Sequence, residues 1–201
     1  MNTARDLKSI GYELSLLQDR LGVIGEGIVK TSGTNGEIWE CGAFRGGTVL
    51  WMKGHLNEVE KLGGNPKKIR AFDTFEGLPF SGEFDVHKVG DLCAEYAPFA
   101  KLIEGLKNIE VHRGIMPDTF RGLESSVISV AHIDVDQYES VKACLEFVYP
   151  RVHSRGLIIV DDYNCQGCPG AKKATDDFLA DKPEKLIIPG RPNPQVRFWK
   201  L

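Results

Sequence analysis

Residues 127–136 read VISVAHIDVD, and residues 156–162 read GLIIVDD. Both are short apolar runs without the polar alternation of a half-exposed strand, and both end in a pair of acids. Such runs suit strands buried on both faces, and helical stretches between them make right-handed crossovers to parallel neighbours. Asp134, Asp136, Asp161 and Asp162 then stand at the carboxyl ends of two strands, where open α/β sheets bind their ligands. Four carboxylates brought together repel one another, so either they stay apart or positive charge sits among them.

Working outward, the same alternation covers most of the chain. EIWECGA (37–43) reads as a strand, TVLWMKGHLNEVEKLG (48–63) as a helix and KIRAFDTF (68–75) as a strand. NIEVHRG (108–114) is a further strand, followed by the linking segment PDTFRGLE (117–124). YESVKACLEFVYPRVHSRG (138–156) reads as a helix, GLIIVDDY (156–163) as a strand and GAKKATDDFLAD (170–181) as a helix, with closing runs KLIIPG (185–190) and VRFWKL (196–201). Ahead of these, Asn2 or Thr3 caps an expected first helix with Leu7, Ile10, Leu14, Leu17 and Leu21 on one face, followed by a Gly-rich passage ending at SGTNG (32–36). Residues 77–105 mix aromatics with turn residues and interrupt the alternation, as an insertion that covers a site does. The expected architecture is α/β: one domain over 1–201, a doubly wound and mostly parallel sheet, an N-terminal helical region (1–35) and a lid insertion (77–105).

Composition narrows the function. The chain has 25 basic and 28 acidic residues, a formal net charge of −3, so no excess of positive charge tracks a nucleic-acid backbone, and no nucleic-acid partner is expected. The short basic clusters NPKKIR (65–70) and GAKKAT (170–175) read as solvated element ends. Five cysteines, at 41, 93, 144, 165 and 168, make no secreted disulfide framework. Cys165 and Cys168 form a CxxC, but without a second CxxC or paired histidines they read as reduced thiols in a loop. No stretch reaches the ~18–20 apolar residues of a membrane span, so no membrane partner and a cytoplasmic location are expected.

The strand-to-helix turn ECGAFRGGT (40–48) lets Gly42, Gly46 and Gly47 bring backbone close to a ligand, with the helix amides near Thr48 pointing back at it. Its spacing is neither GxGxxG nor the phosphate loop. Asp73, ending the next strand, suits ribose hydroxyls, although a turn role is open. Together they favour a nucleoside ligand without a pyrophosphate, which describes S-adenosylmethionine. Asp134, Asp161 and Asp162 can supply oxygens to a hard cation such as Mg²⁺ or another divalent ion. As simpler alternatives, Asp136 caps the following helix and Asp162 starts a turn. His132 reads as a core residue, and His112, His87 and His132 are alternative bases to Asp136.

ECGAFRGGT, AFDTFEGLP (71–79), HIDVDQYES (132–140) and DDYNCQGCPGAKKATDDF (161–178), in that order, resemble the macrocin O-methyltransferase (TylF-like) family of Rossmann-like, class I, S-adenosylmethionine- and magnesium-dependent methyltransferases. The resemblance implies that Asp134, Asp161 and Asp162 carry the metal and that Asp136 is the general base. It places Glu40 and Gly42 near the methionine part of the cofactor and Asp73 at its ribose, with Gly46, Thr48, Gly114 and Asp134 completing the expected cofactor site. The implied partner is a small-molecule acceptor bearing a hydroxyl, with a sugar or other vicinal diol suiting a chelating site, and a homo-oligomer is left open. Two other classes compete: a metal-dependent glycosyltransferase using the Asp-x-Asp of IDVD, and a non-catalytic cofactor-binding module.

Overall fold

The computed structural model describes residues 18–189 and 193–201. A six-stranded sheet forms the centre: β1 (Glu37–Cys41), β2 (Ile69–Asp73), β3 (Ile109–Arg113), β4 (Ile128–Ile133), β5 (Val152–Val160) and β6 (Val196–Trp199), ordered β3-β2-β1-β4-β5-β6. Every pairing is parallel except that of β6 with β5. The helices are α1 (Gln18–Lys30), α2 (Gly47–Lys61), α3 (Tyr96–Ile103), α4 (Tyr138–Val148) and α5 (Pro169–Leu179).

Alternation along the strands divides the apolar side chains between two cores. Ile38, Ile69, Ala71, Val130, Leu157 and Ile159 meet α1 and α2 on one face. Trp39, Phe72, Ala131, Ile133, Ile158, Val160 and Phe198 meet α4 and α5 on the other. In β4 the alternation slips, because Ile128 shares a core with Ala131 and Ile133 while Val130 faces the opposite one. The register shifts between Ile128 and Val130 account for it: a bulge at Ser129 resets the parity. Without that shift, Ile128 would sit on the wrong face.

Register also sets the position of the site. Cys41 pairs with Phe72 and Ile133, and Ile133 pairs with Val160, so four strands end in one row. The residues next in sequence, Gly42, Asp73, Asp134 and Asp161, therefore emerge together at the edge where strand order reverses between β1 and β4.

Four sequence expectations change. The residues from Gly22 to Lys30, read as part of a Gly-rich passage, are helical. Gly25 and Gly27 are there for close approach: a Cβ on Gly25 would lie 2.8 Å from the His55 ring, and one on Gly27 would lie 2.7 Å from Leu157 Cδ2. The rest of the expected first helix, with Leu7, Ile10, Leu14 and Leu17, lies outside the described residues. Residues 152–155, read as helix, belong to β5, because Pro150 halts α4 in a single 3₁₀ turn over Tyr149–Arg151. NPKKIR is not a solvated end, since Lys67 and Arg70 are buried. Lys67 Nζ donates to Thr34 O at 2.6 Å, and Arg70 pairs with Glu37 at 2.7 Å and Glu110 at 2.5 Å. KLIIPG supplies only the isolated bridge of Ile187 to Arg197, and Gly190 lies outside the described residues.

The α1–sheet contact gives a direct test. Gly27→Val places a side chain into Leu157, and overpacking of this kind costs about 1–3 kcal/mol. The expected outcome is a lower denaturant midpoint with an unchanged slope; an unchanged midpoint would contradict the packing described.

Candidate active site

One pocket opens at this edge, lined by the turn residues Gly42, Ala43, Phe44 and Thr48, by Asp73, Asp134, Asp136 and Asp162, by Arg20, and by Leu78, Pro79 and Leu92 of the segment between β2 and α3. The turn is held by Asp73, whose Oδ2 accepts Phe44 N and whose Oδ1 accepts Phe75 N, both at 2.7 Å. Burial raises the pKa of Asp73, and the backbone hydrogen bonds partly offset this. Gly42 has φ +96°, and a Cβ there would meet Asp134 O at 1.8 Å, so only glycine fits where the turn crosses the end of β4. Gly46, at φ +85°, caps α2, and a Cβ there would touch Phe99 and Leu102 of α3 at 3.0 Å. Gly114 N donates to Asp73 O at 2.9 Å, tying the end of β3 to the same row.

The aspartates do meet. Carboxylate oxygens of Asp134, Asp136 and Asp162 lie within 4.8 Å of one another. Asp136 and Asp162 both have left-handed backbone, at φ 56° and 57°, which turns their side chains back over the pocket. The simpler reading of Asp136 as a helix cap is replaced: Gln137 is the cap residue of α4 and makes no side-chain capping bond. Tyr138 N instead donates to Asp85 Oδ1, from the segment between β2 and α3, at 2.9 Å.

Asp161 is positioned differently from the other three. It is 2% exposed and holds Arg20 through Nη2 and through Nε at 3.1 Å, while Gln195 Nε2 donates to it at 3.0 Å and His132 Nε2 lies 3.4 Å away. His132 is fully buried, with Nδ1 2.9 Å from Glu40 Oε2, so its imidazole lies between carboxylates from two strands. Burial would lower its pKa, but Glu40 and Asp161 outweigh that and raise it well above the ordinary histidine value. Glu40 is likewise fully buried, and its Oε1 has no partner among the described residues.

The electrostatics follow from these contacts. Burial alone would raise Asp161, but hydrogen bonds and charge from His132 and Arg20 hold it at about 2. Burial, together with Asp161 and Asp136, pushes Asp162 up to about 8, and burial with Asp161 and Asp162 raises Asp134 well above the usual carboxylate range. Crowded carboxylates of this kind, all oxygen donors, fit a hard divalent cation, which would favour their ionised forms. Arg20 and Asp85 were not singled out in the sequence, since both contacts join segments far apart along the chain.

The parallel sheet reversing at β1 and β4, the antiparallel last strand and the glycine turn beside strand-end acids define a Rossmann-like fold of the class I methyltransferase type. The solved structure of the O-methyltransferase NovP superposes with a TM-score of 0.74 at 26% identity, covering 90% of this chain and 79% of that one. The calicheamicin methyltransferase CalS11 has the same fold, with a TM-score of 0.74 at 21% identity, covering 90% of this chain and 77% of that one. The chain belongs to the macrocin O-methyltransferase (TylF) family, which it matches over residues 18–186. It is 30% identical over 157 residues to the 8-demethyl-8-(2,3-dimethoxy-alpha-L-rhamnosyl)-tetracenomycin-C 4'-O-methyltransferase of Streptomyces olivaceus, covering 71% of this chain and 59% of the relative. It is 28% identical over 170 residues to the demethyldecarbamoylnovobiocin O-methyltransferase of Streptomyces niveus, covering 76% and 62%. The chain thus spans about three fifths of the length of these curated relatives. Among the described residues no helix is long and apolar enough to cross a membrane.

The raised carboxylates set a pH dependence. Between ~4, where an unfolded aspartate titrates, and about 8, folded Asp162 keeps a proton that the unfolded chain has lost, so stability falls as pH rises. Asp161, lowered to about 2, acts in the opposite direction and only below that window. Melting of chelator-treated protein should therefore decline from pH 4 to 8, and Asp162→Asn should remove much of the slope. Equal slopes in the two proteins would refute the crowding.

Proposed function

We propose that the chain is an S-adenosylmethionine-dependent O-methyltransferase acting on a hydroxyl of a sugar carried by a small natural product. The observation that carries this is the convergence of Asp134, Asp136 and Asp162 on the pocket that the Gly42–Thr48 turn and Asp73 also line. The relatives' named reactions on a rhamnosyl group and on demethyldecarbamoylnovobiocin support the acceptor class. A glycosyltransferase reading leaves the glycine turn, tied by Asp73 and fitted against Asp134, without a role.

When bound, S-adenosylmethionine supplies an electrophilic methyl on a sulfonium, and a divalent cation supplies positive charge that acidifies a nearby hydroxyl. Gly42 and Thr48 would hold the methionine end, Glu40 standing behind them, with Asp73 at the ribose and Gly46 and Gly114 shaping the turn and the row beside it. Asp134 and Asp162 would hold the cation with Asp161, where Arg20 now sits. Asp136 would accept the proton of the acceptor hydroxyl, and the pocket walls, by holding acceptor and cofactor together, would supply much of the rate. Residues 77–105 act as the lid that excludes water.

Two outcomes test this. Asp136→Asn should lower methyl transfer from labelled S-adenosylmethionine to a glycoside or surrogate catechol by about 10²–10⁴ while leaving cofactor affinity unchanged. Near-normal turnover would remove Asp136 as the base. Hydrogen exchange should show residues 80–104 gaining protection when cofactor and acceptor bind, and equal protection in both states would rule out a lid.

A further inference from the structure

The CxxC that reads in sequence as two idle thiols sits against the acid cluster. Cys168, 5% exposed at the start of α5, donates its S–H to Asp136 Oδ1 at 3.3 Å. A ring nitrogen of His87, from the insertion, lies within 4.8 Å of both that sulfur and that carboxylate. Three donors of different type, N, O and S, therefore converge from three separate segments. Zinc takes such mixed sets in tetrahedral geometry, with Zn–S about 2.3 Å and Zn–O about 2.0 Å, which puts sulfur and oxygen ~3.5 Å apart. The observed 3.3 Å is close to that spacing. Mg²⁺ takes oxygens alone and has no use for the thiol or imidazole.

We propose that His87, Asp136 and Cys168 form a zinc site, sharing Asp136 with the aspartate cluster but differing from it in donor chemistry, that switches the enzyme off. Binding deprotonates Cys168 and releases the proton to solvent, so one thiolate, one carboxylate and a neutral imidazole balance the ion's charge. Two consequences follow from the positions of the ligands. Asp136 is withdrawn from proton transfer, a consequence that rests on the function proposed above. His87 pins the insertion to the start of α5, closing the lid over the pocket. His87 remains 31% exposed in its side chain, which leaves the ion a way in.

Cobalt(II) reports the site directly, because thiolate ligation gives a charge-transfer band in the near ultraviolet. Full-length protein titrated with Co²⁺ should show that band, and zinc should displace it. Cys168→Ser should abolish it, and His87→Gln should weaken zinc affinity by at least ~100-fold in competition with a chromogenic chelator. Cys165→Ser and Asp134→Asn should keep it. The idea is overturned if no band forms, if the band survives in Cys168→Ser, or if His87→Gln binds zinc as wild type does. It is equally overturned if Cys165→Ser abolishes the band while His87→Gln spares it, which would assign the ion to the neighbouring Asp162, Cys165 and Cys168. Should Cys168→Ser fail to fold, the variant at the half-buried His87 still decides. In the activity arm, zinc should inhibit methyl transfer in wild type and not in His87→Gln. A chain that transfers no methyl group would refute the proposed function, and the cobalt band would still report on the zinc site.

Discussion

A fully buried imidazole bridging two carboxylates underlies the whole carboxyl edge of the sheet. His132 on β4 touches Glu40 on β1 and Asp161 after β5, so three neighbouring strands are joined through one charged ring. Without positive charge there, the edge would gather several desolvated acids with nothing to offset them, at a cost of several kcal/mol each. Arg20 supplies the second positive charge from α1, outside the sheet. With Asp161 neutralised in this way, the repulsion that remains falls on Asp134 and Asp162, two of the carboxylates lining the pocket.

The segment between β2 and α3 is held by the same kind of local necessity. The start of α4 has backbone donors that its own sequence does not cap, and Asp85 satisfies one of them. Gln137, 1% exposed, pairs reciprocally with the backbone of Phe80. The segment over the pocket is thus anchored to the helix that follows the Asp134–Asp136 loop, while Val86, Val89 and Leu92 remain exposed.

Much of the sheet was legible because buried parallel strands leave near-continuous apolar runs, and the acids after VAHI and LIIV mark where those runs stop. The errors have physical sources. Glycines in α1 look like a loop because their low helical propensity shows in sequence, whereas His55 and Leu157, which require their small size, are distant in the chain. Lys67 and Arg70 look solvated because their buried partners, Thr34, Glu37 and Glu110, come from other segments. In the site, position at a strand end was readable for all four aspartates. Orientation was not: whether an acid is free in the pocket or paired with Arg20 depends on α1 and on the left-handed backbone at Asp136 and Asp162.

Gly42 carries a thermodynamic consequence. A Cβ there would lie 1.8 Å from Asp134 O, so the turn and the loop after β4 meet backbone to backbone with no room between them. On the function proposed above, a ligand that seats the turn would also steady the loop that carries Asp134, and an ion held by that loop would steady the turn. Linkage makes this exchange symmetric: whatever factor one occupant adds to the other's affinity, it receives in return.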